Sequence, residues 1–159
     1  MFQLIPAPLH RLALRMAHPI RHFWRRWRGA PLTGCSIIVT DFSGSILMLR
    51  HHYGPILWSL PGGGVKQGED VEAAARRELR EEVGIEAEQF RLVGVIEDEV
   101  SGSPHRCHLF AVICDQHPTP DNREIAEAKF FPAHSLPEPM SRFARAQINA
   151  WQEWRQQRN

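Results

Sequence analysis

No apolar run in the 159 residues approaches the roughly 18 that a membrane-spanning helix needs. A secretory leader fits poorly too. Arg11 and Arg15 interrupt the one apolar stretch near the start, and no small-residue cleavage site follows. The Arg-rich, acid-free start shares its composition with organelle transit peptides, a reading ranked below a cytoplasmic location. Cysteine is scarce: Cys35, Cys107 and Cys114 are odd in number and form no CxxC pair. That argues against a disulfide framework or a cysteine zinc site and favours a reducing cytosol. All three lie in or beside apolar runs that read as strands, so buried, inert thiols are expected. Carboxylates are missing from the first 40 residues, Asp41 being the first. Internal repeats and low-complexity tracts are absent as well.

What is present describes an ordinary globular domain. Apolar residues make up 43% and charged residues 23%. The length suits one domain, which buries about two thirds of the surface its unfolded chain exposes. The net charge of +1 gives no overall case for a nucleic-acid or membrane role, but it is unevenly spread. Residues 1–33 hold six Arg (11, 15, 21, 25, 26 and 28) and no acid; the remainder has 13 basic and 18 acidic residues, which is −5.

Residues 1–33 therefore read as an appended arm before a domain over 34–159. Pro6, Pro8, Pro19 and Pro31 punctuate it. Leu9, Leu12 and Met16 form one short helical stripe, and Ile20, Phe23, Trp24 and Trp27 a second. Two readings stand. The arm packs its Trp stripe on the domain or on a second subunit, an exchange that would suit a homodimer. Alternatively, it lies on an anionic membrane or nucleic acid.

In the domain, Cys35–Thr40 and Ile46–Arg50 read as strands about a turn at Asp41–Ser45. Ile56–Leu60 is a short extended piece, and Pro61–Gly68, with four of the eleven glycines, a loop. Asp70 is placed to cap a helix over Val71–Val83, which Gly84 ends. Phe90–Val100, His105–Cys114 and Glu124–Phe131 are expected strands, with Asp115–Asn122 and Ser135–Met140 as connections. Ser141 to about Gln157 is an amphipathic helix with Phe143, Ala146, Ala150 and Trp154 near one face. Strands and helices mixed without βαβ regularity indicate an α+β domain.

The helix carries the chemistry. Glu78, Glu81 and Glu82 lie at i, i+3 and i+4, on one face within a single turn. Like charges at that spacing repel by a few tenths of a kcal/mol when exposed and more when buried. A divalent cation would remove that penalty. Carboxylates on one face suit Mg²⁺ or Mn²⁺, which use a few such ligands beside water and phosphate oxygens. The glycines just before the helix can bring backbone N–H groups close to a phosphate.

Gly63, five residues, Glu69, seven residues, then Arg77-Glu78-Leu79-Arg80-Glu81-Glu82-Val83-Gly84-Ile85 resembles the whole Nudix box, Gx5Ex7REUxEExGU, with U a bulky aliphatic residue. Nine constrained positions in a 23-residue window are all filled. The flanks agree more loosely: Trp58 to Gly64 resembles the family's approach to the box, and Glu124 to Glu127 its later acidic segment.

The resemblance implies a Nudix fold, a mixed β-sheet sandwiched between α-helices. It implies metal-dependent hydrolysis of a diphosphate bond in a nucleoside diphosphate linked to another moiety X, a small-molecule nucleotide derivative. Carried over by position, Glu78 and Glu82 become the principal ligands of Mg²⁺ or Mn²⁺, and Glu81 a ligand or the base that deprotonates water. The carbonyl of Gly62 or Gly63 completes such sites, and Gly64 belongs to the same phosphate loop. Arg77 and Glu69 are positioning residues whose pairing would hold loop against helix. A glutamate outside the box, Glu127 or Glu124, acts as base or further ligand. The competing classes are a catalytically silent nucleotide-binding sensor and an adaptor acting through residues 1–33.

Other residues have plainer readings. His51 and His52, with Tyr53 beside them, are read as exposed loop polarity, against contact with a substrate phosphate or base. Trp58 is read as packing under the glycine loop, against stacking on a base. His105 and Cys107 share one strand face and His108 the other, which argues against a metal cluster there. Glu97, Asp98 and Glu99 either border the metal site or form a solvated strand end.

Overall fold

The computed structural model describes residues 32–100 and 102–158. The two short helical stripes assigned to the N-terminal arm lie outside them. Among the described residues, seven strands form one sheet. β1 (Leu32–Thr40) is its centre and pairs in parallel with β6 (Ser103–Ile113), from Leu32 opposite His105 to Thr40 opposite Ile113. β5 (Arg91–Val100) adds antiparallel to β6 at the edge. On the other side come β2 (Ile46–His51), β3 (Trp58–Ser59) and β7 (Ile125–Phe131), with β4 (Gly62–Gly64) laid antiparallel on the first half of β1.

The strands around the centre are apolar on both faces because both faces are covered. Ile37, Val39, Leu47 and Leu49 point to one side, where they meet Leu79 and Val83 of α1 (Val71–Val83). Ile38, Ile46, Met48 and Leu109 point to the other and meet Ile148 and Trp151 of α2 (Arg142–Gln156). The mixed sheet is therefore sandwiched between two helices. Each fully buried aliphatic side chain contributes about 1.5–3 kcal/mol.

Both ends of α1 form as the sequence dictates. The Asp70 carboxylate accepts the Ala73 N–H at 3.0 Å, and Gly84 adopts the left-handed conformation (φ 68°) that stops the helix. The turn at Asp41 closes the same way, its Oδ1 accepting the Ser45 N–H at 2.8 Å and the Ser43 hydroxyl at 2.7 Å.

Two expectations need correction. The glycine run is not wholly loop: Gly62–Gly64 is a strand paired with Gly34–Ser36. Its backbone is extended although no side chain marks it as such. The buried face of α2 is Ala144, Gln147, Ile148 and Trp151, while Ala146 is exposed. Phe143, Ala150 and Trp154 sit half-buried at the margin. Gln147 belongs to the inner face because its amide donates to the Cys107 sulfur at 3.3 Å, while the Cys107 thiol in turn donates to the Ser36 hydroxyl oxygen at 3.4 Å. All three cysteines are free and buried.

Candidate active site

The site grows from the contact between β4 and α1. Gly62 has φ 153°, and a methyl group there would come within 2.2 Å of the Cys35 carbonyl oxygen. At Gly63 a methyl group would fall 2.5 Å from the Glu78 carboxyl carbon. Only bare backbone fits between β1 and the glutamates, which is the close approach glycine permits. The Gly62 N–H donates to Glu82 Oε2 at 3.0 Å. Below it, the Cys35 thiol faces the Gly63 carbonyl at 3.7 Å; burial pushes its pKa up to about 11, so it stays protonated at neutral pH.

Arg77 ties this strand to the helix. Its Nε and Nη2 donate to the two oxygens of Glu69 at 2.8 and 3.0 Å. Nη2 also reaches the Gly64 carbonyl at 3.1 Å, and Nη1 reaches Glu78 at 2.7 Å and Glu81 at 3.5 Å. The contacts match the five donors of a guanidinium fork. The Arg77 hydrogen bonds, aided by the Lys66 N–H, hold the Glu69 carboxyl down at about 2.

The three box glutamates share a face but not an environment. Glu82 is 7% exposed, the Glu78 side chain 16% and the Glu81 side chain 57%. Burial raises the Glu82 pKa well above the usual carboxylate value; the Gly62 N–H opposes this, and the charges of Glu78, Glu124 and Asp121 add to it. Burial likewise raises Glu78, against the pull of Arg77, with Glu81 and Glu124 adding to the rise.

Of the two glutamates outside the box, the structure sets Glu124 beside this cluster, where its charge is felt by both Glu78 and Glu82. Glu127 faces other partners: it is ion-paired with Arg50 and with Lys129, which lower its pKa. The position of Glu124 has a clear origin. The Thr119 and Asp121 N–H groups donate to the Val83 and Glu82 carbonyls at 2.7 and 3.0 Å, satisfying the C-terminal end of α1. The Asp121 side chain then gathers the N–H groups of Arg123, Glu124 and Ile125 at 2.9–3.0 Å. Asp121 was missed from sequence, although an Asp before Asn122 in a proline-containing connector is a turn signal.

The remaining candidates are placed as follows. His51 ends β2 and His52 follows it; both are half-buried rather than exposed. Burial lowers the His51 pKa, opposed by Glu124 and Asp121. Trp58 is buried in the core on the α2 side, edge-on to Phe131 with ring centres 5.0 Å apart. His105 packs against Phe143. Glu97, Asp98 and Glu99 are exposed on β5, with Glu97 paired to Arg106.

Among the described residues, no three His, Cys, Asp or Glu side chains converge tightly enough to hold an ion by themselves. The donor set still fits Mg²⁺ or Mn²⁺. Such ions take one or two carboxylates and complete their shell with water and substrate phosphate. Two carboxylates whose charge is disfavoured by burial and by each other, beside a backbone with no side chain in the way, meet that need.

This fold recurs in known proteins. The NUDIX domain model matches residues 31–152. A putative 8-oxo-dGTP diphosphatase of Bacillus subtilis is 34% identical over 117 residues, 73% of this chain and 76% of that protein. An RNA pyrophosphohydrolase of Teredinibacter turnerae is 44% identical over 59 residues, 37% of this chain and 34% of its own. Among solved structures, a MutT NUDIX hydrolase from Burkholderia pseudomallei superimposes with a TM-score of 0.70 at 26% identity, covering 76% of this chain and 98% of that one. This chain belongs to the Nudix family. The matches span 34%, 58% and 35% of the length of three of its curated relatives.

Proposed function

We propose that the protein hydrolyses a diphosphate bond in a nucleotide derivative, a nucleoside diphosphate linked to a further moiety X, with Mg²⁺ or Mn²⁺. The observation that carries this reading is the buried Glu82 and half-buried Glu78 set against a side-chain-free backbone, with Glu124 beside them. The names of the relatives, an RNA pyrophosphohydrolase, an oxidized purine nucleoside triphosphate hydrolase and a putative 8-oxo-dGTP diphosphatase, support a nucleotide substrate.

In this mechanism Glu78, Glu82 and Glu124 would hold the cation, with the Gly62 or Gly63 carbonyl as a further oxygen donor. When bound, the cation draws charge off the phosphoryl oxygens and lowers the pKa of water. Arg77 keeps Glu78 and Glu69 in place, which fixes the phosphate-binding strand Gly62–Gly64 against the helix. Glu81, the most exposed of the three box glutamates, accepts the proton of the attacking water. Water attacks one phosphorus, the bridging P–O bond breaks, and the products are a nucleoside monophosphate and phosphorylated X, or pyrophosphate where X is phosphate-like.

The described residues include no helix long and apolar enough to cross a membrane. Three free, buried cysteines support a cytoplasmic location as part of the same proposal. The same proposal divides the chain into a basic arm and a catalytic domain, with the boundary read at 33/34 from the sequence and β1 opening two residues earlier, at Leu32. Pairing of two copies through the arm, or its contact with an anionic surface, is tested by replacing Arg21, Arg25, Arg26 and Arg28 with Gln and measuring mass in solution and vesicle binding.

The activity is tested with a substrate panel. Nucleoside triphosphates, nucleotide sugars, ADP-ribose and dinucleoside polyphosphates are offered with Mg²⁺ or Mn²⁺. Metal-dependent product from one class identifies X. No product from any class, with the protein folded and metal bound, favours a nucleotide sensor.

A further inference from the structure

Tyr53 lies outside the box, in the turn after β2, and no part of the mechanism above uses it. Its hydroxyl donates to Glu124 Oε2 at 3.1 Å, a contact between residues 71 positions apart in sequence. The backbone of Glu124 is already fixed from two directions. Its N–H is held by the Asp121 carboxylate, and its carbonyl accepts the His52 N–H at 2.9 Å. A bulge between Arg50 and His51 shifts the pairing of β2 with β7 just before this point. Bulges re-aim side chains at strand ends beside sites. Tyr53 is itself half-buried, and its ring is packed by His51, with centres 5.6 Å apart. The hydroxyl is thus delivered by a held ring to a carboxylate that stands on a held backbone.

We propose that Tyr53 is a positioning residue that fixes the Glu124 side chain at the edge of the Glu78–Glu82 cluster, so that Glu124 presents its other oxygen to the cation. This rests on the proposed metal-dependent reading of the site. A glutamate side chain has three rotatable bonds, and a carboxylate beside two others is pushed outward by their charge. The phenol offsets that push with one hydrogen bond to an ionised acceptor, the stronger kind. Partners that orient a ligand in this way are worth 10- to 100-fold in metal affinity or activity.

The test uses the full chain with Tyr53→Phe, Glu124→Gln and the double variant. Two readouts are taken: Mn²⁺ affinity by paramagnetic titration without substrate, and kcat and KM on the substrate found in the panel. Tyr53→Phe removes one hydroxyl and keeps the ring that packs on His51; its thermal midpoint checks the fold. The expected result is that Tyr53→Phe weakens Mn²⁺ binding and lowers kcat roughly tenfold, leaves KM within about twofold, and adds nothing further to Glu124→Gln. Three results overturn it: losses that multiply in the double variant, a change in KM alone, or Mn²⁺ affinity untouched by Tyr53→Phe. The reading beneath it fails separately. If wild type and all variants lack turnover while Tyr53→Phe still weakens Mn²⁺ binding in the Glu124-dependent way, the positioning role stands and hydrolysis falls.

Discussion

The Gly62 N–H donates to the Glu82 carboxylate at 3.0 Å, a direct bond between the glycine strand and the carboxylate helix. It holds the most buried of the acidic groups against the strand that has no side chains. Because that carboxylate is buried with Glu78 close by, the arrangement is unfavourable until a cation shares the charge.

Removing the charge at position 82 should therefore help the metal-free fold. Gln at 82 keeps an oxygen for the Gly62 N–H and loses the repulsion from Glu78. The thermal midpoint of Glu82→Gln in chelator is expected above that of wild type, by roughly 1 kcal/mol in stability. Mg²⁺ should raise the midpoint of wild type and leave the variant nearly unmoved. A destabilised variant would show that the carboxylate serves the fold rather than the ion.

Gly62→Ala is expected to lose roughly 2 kcal/mol or more. The new methyl group meets the Cys35 carbonyl, a backbone atom of the central strand that cannot step aside. Gly64→Ala, with nothing within 4 Å of the added group, should cost far less on steric grounds. Urea denaturation of the pair measures the difference.

The Arg77–Glu69 pair gives a pH signature. The Glu69 pKa is about 2 in the folded protein, below its ordinary value of 4.5. A depressed pKa stabilises the fold above the unfolded value and loses that contribution as pH falls through the window from about 4.5 to about 2. Wild type should lose more stability across that window than Glu69→Gln, which starts lower at neutral pH. Arg77→Lys, which keeps the charge but not the fork, should resemble Glu69→Gln. Denaturation midpoints as a function of pH check both.

On the far face, Trp151→Ala should cost about 3–5 kcal/mol by opening a cavity under α2. Ala146→Ser, on the exposed side, should stay within about 0.5 kcal/mol. Equal losses would contradict the observed rotation of the helix. Melting curves of the two variants decide.

Residues that act on their own neighbours were legible in the sequence. Asp70 and Gly84 fixed the ends of α1 to the residue, since a cap works within one turn. The strand segments showed through their apolar runs, and the box stood out because its spacing is local. What failed to show depends on partners far along the chain. Gly62–Gly64 is a strand only because the backbone of Gly34–Ser36 lies beside it. The buried side of α2 was misjudged because Gln147, a polar residue, faces inward to meet Cys107, 40 positions away. The choice between Glu124 and Glu127 stayed open for the same reason. Both are acids in one acidic segment; Asp121 and Tyr53 hydrogen-bond to Glu124, while Arg50 and Lys129 pair with Glu127.

The most direct measurement is metal-dependent turnover of the best panel substrate by wild type and by Glu82→Gln, with circular dichroism confirming that both are folded. The site described here predicts a loss in kcat on the order of 10³-fold for the variant. A folded Glu82→Gln protein that turns over at the wild-type rate would contradict the assignment of chemistry to this helix.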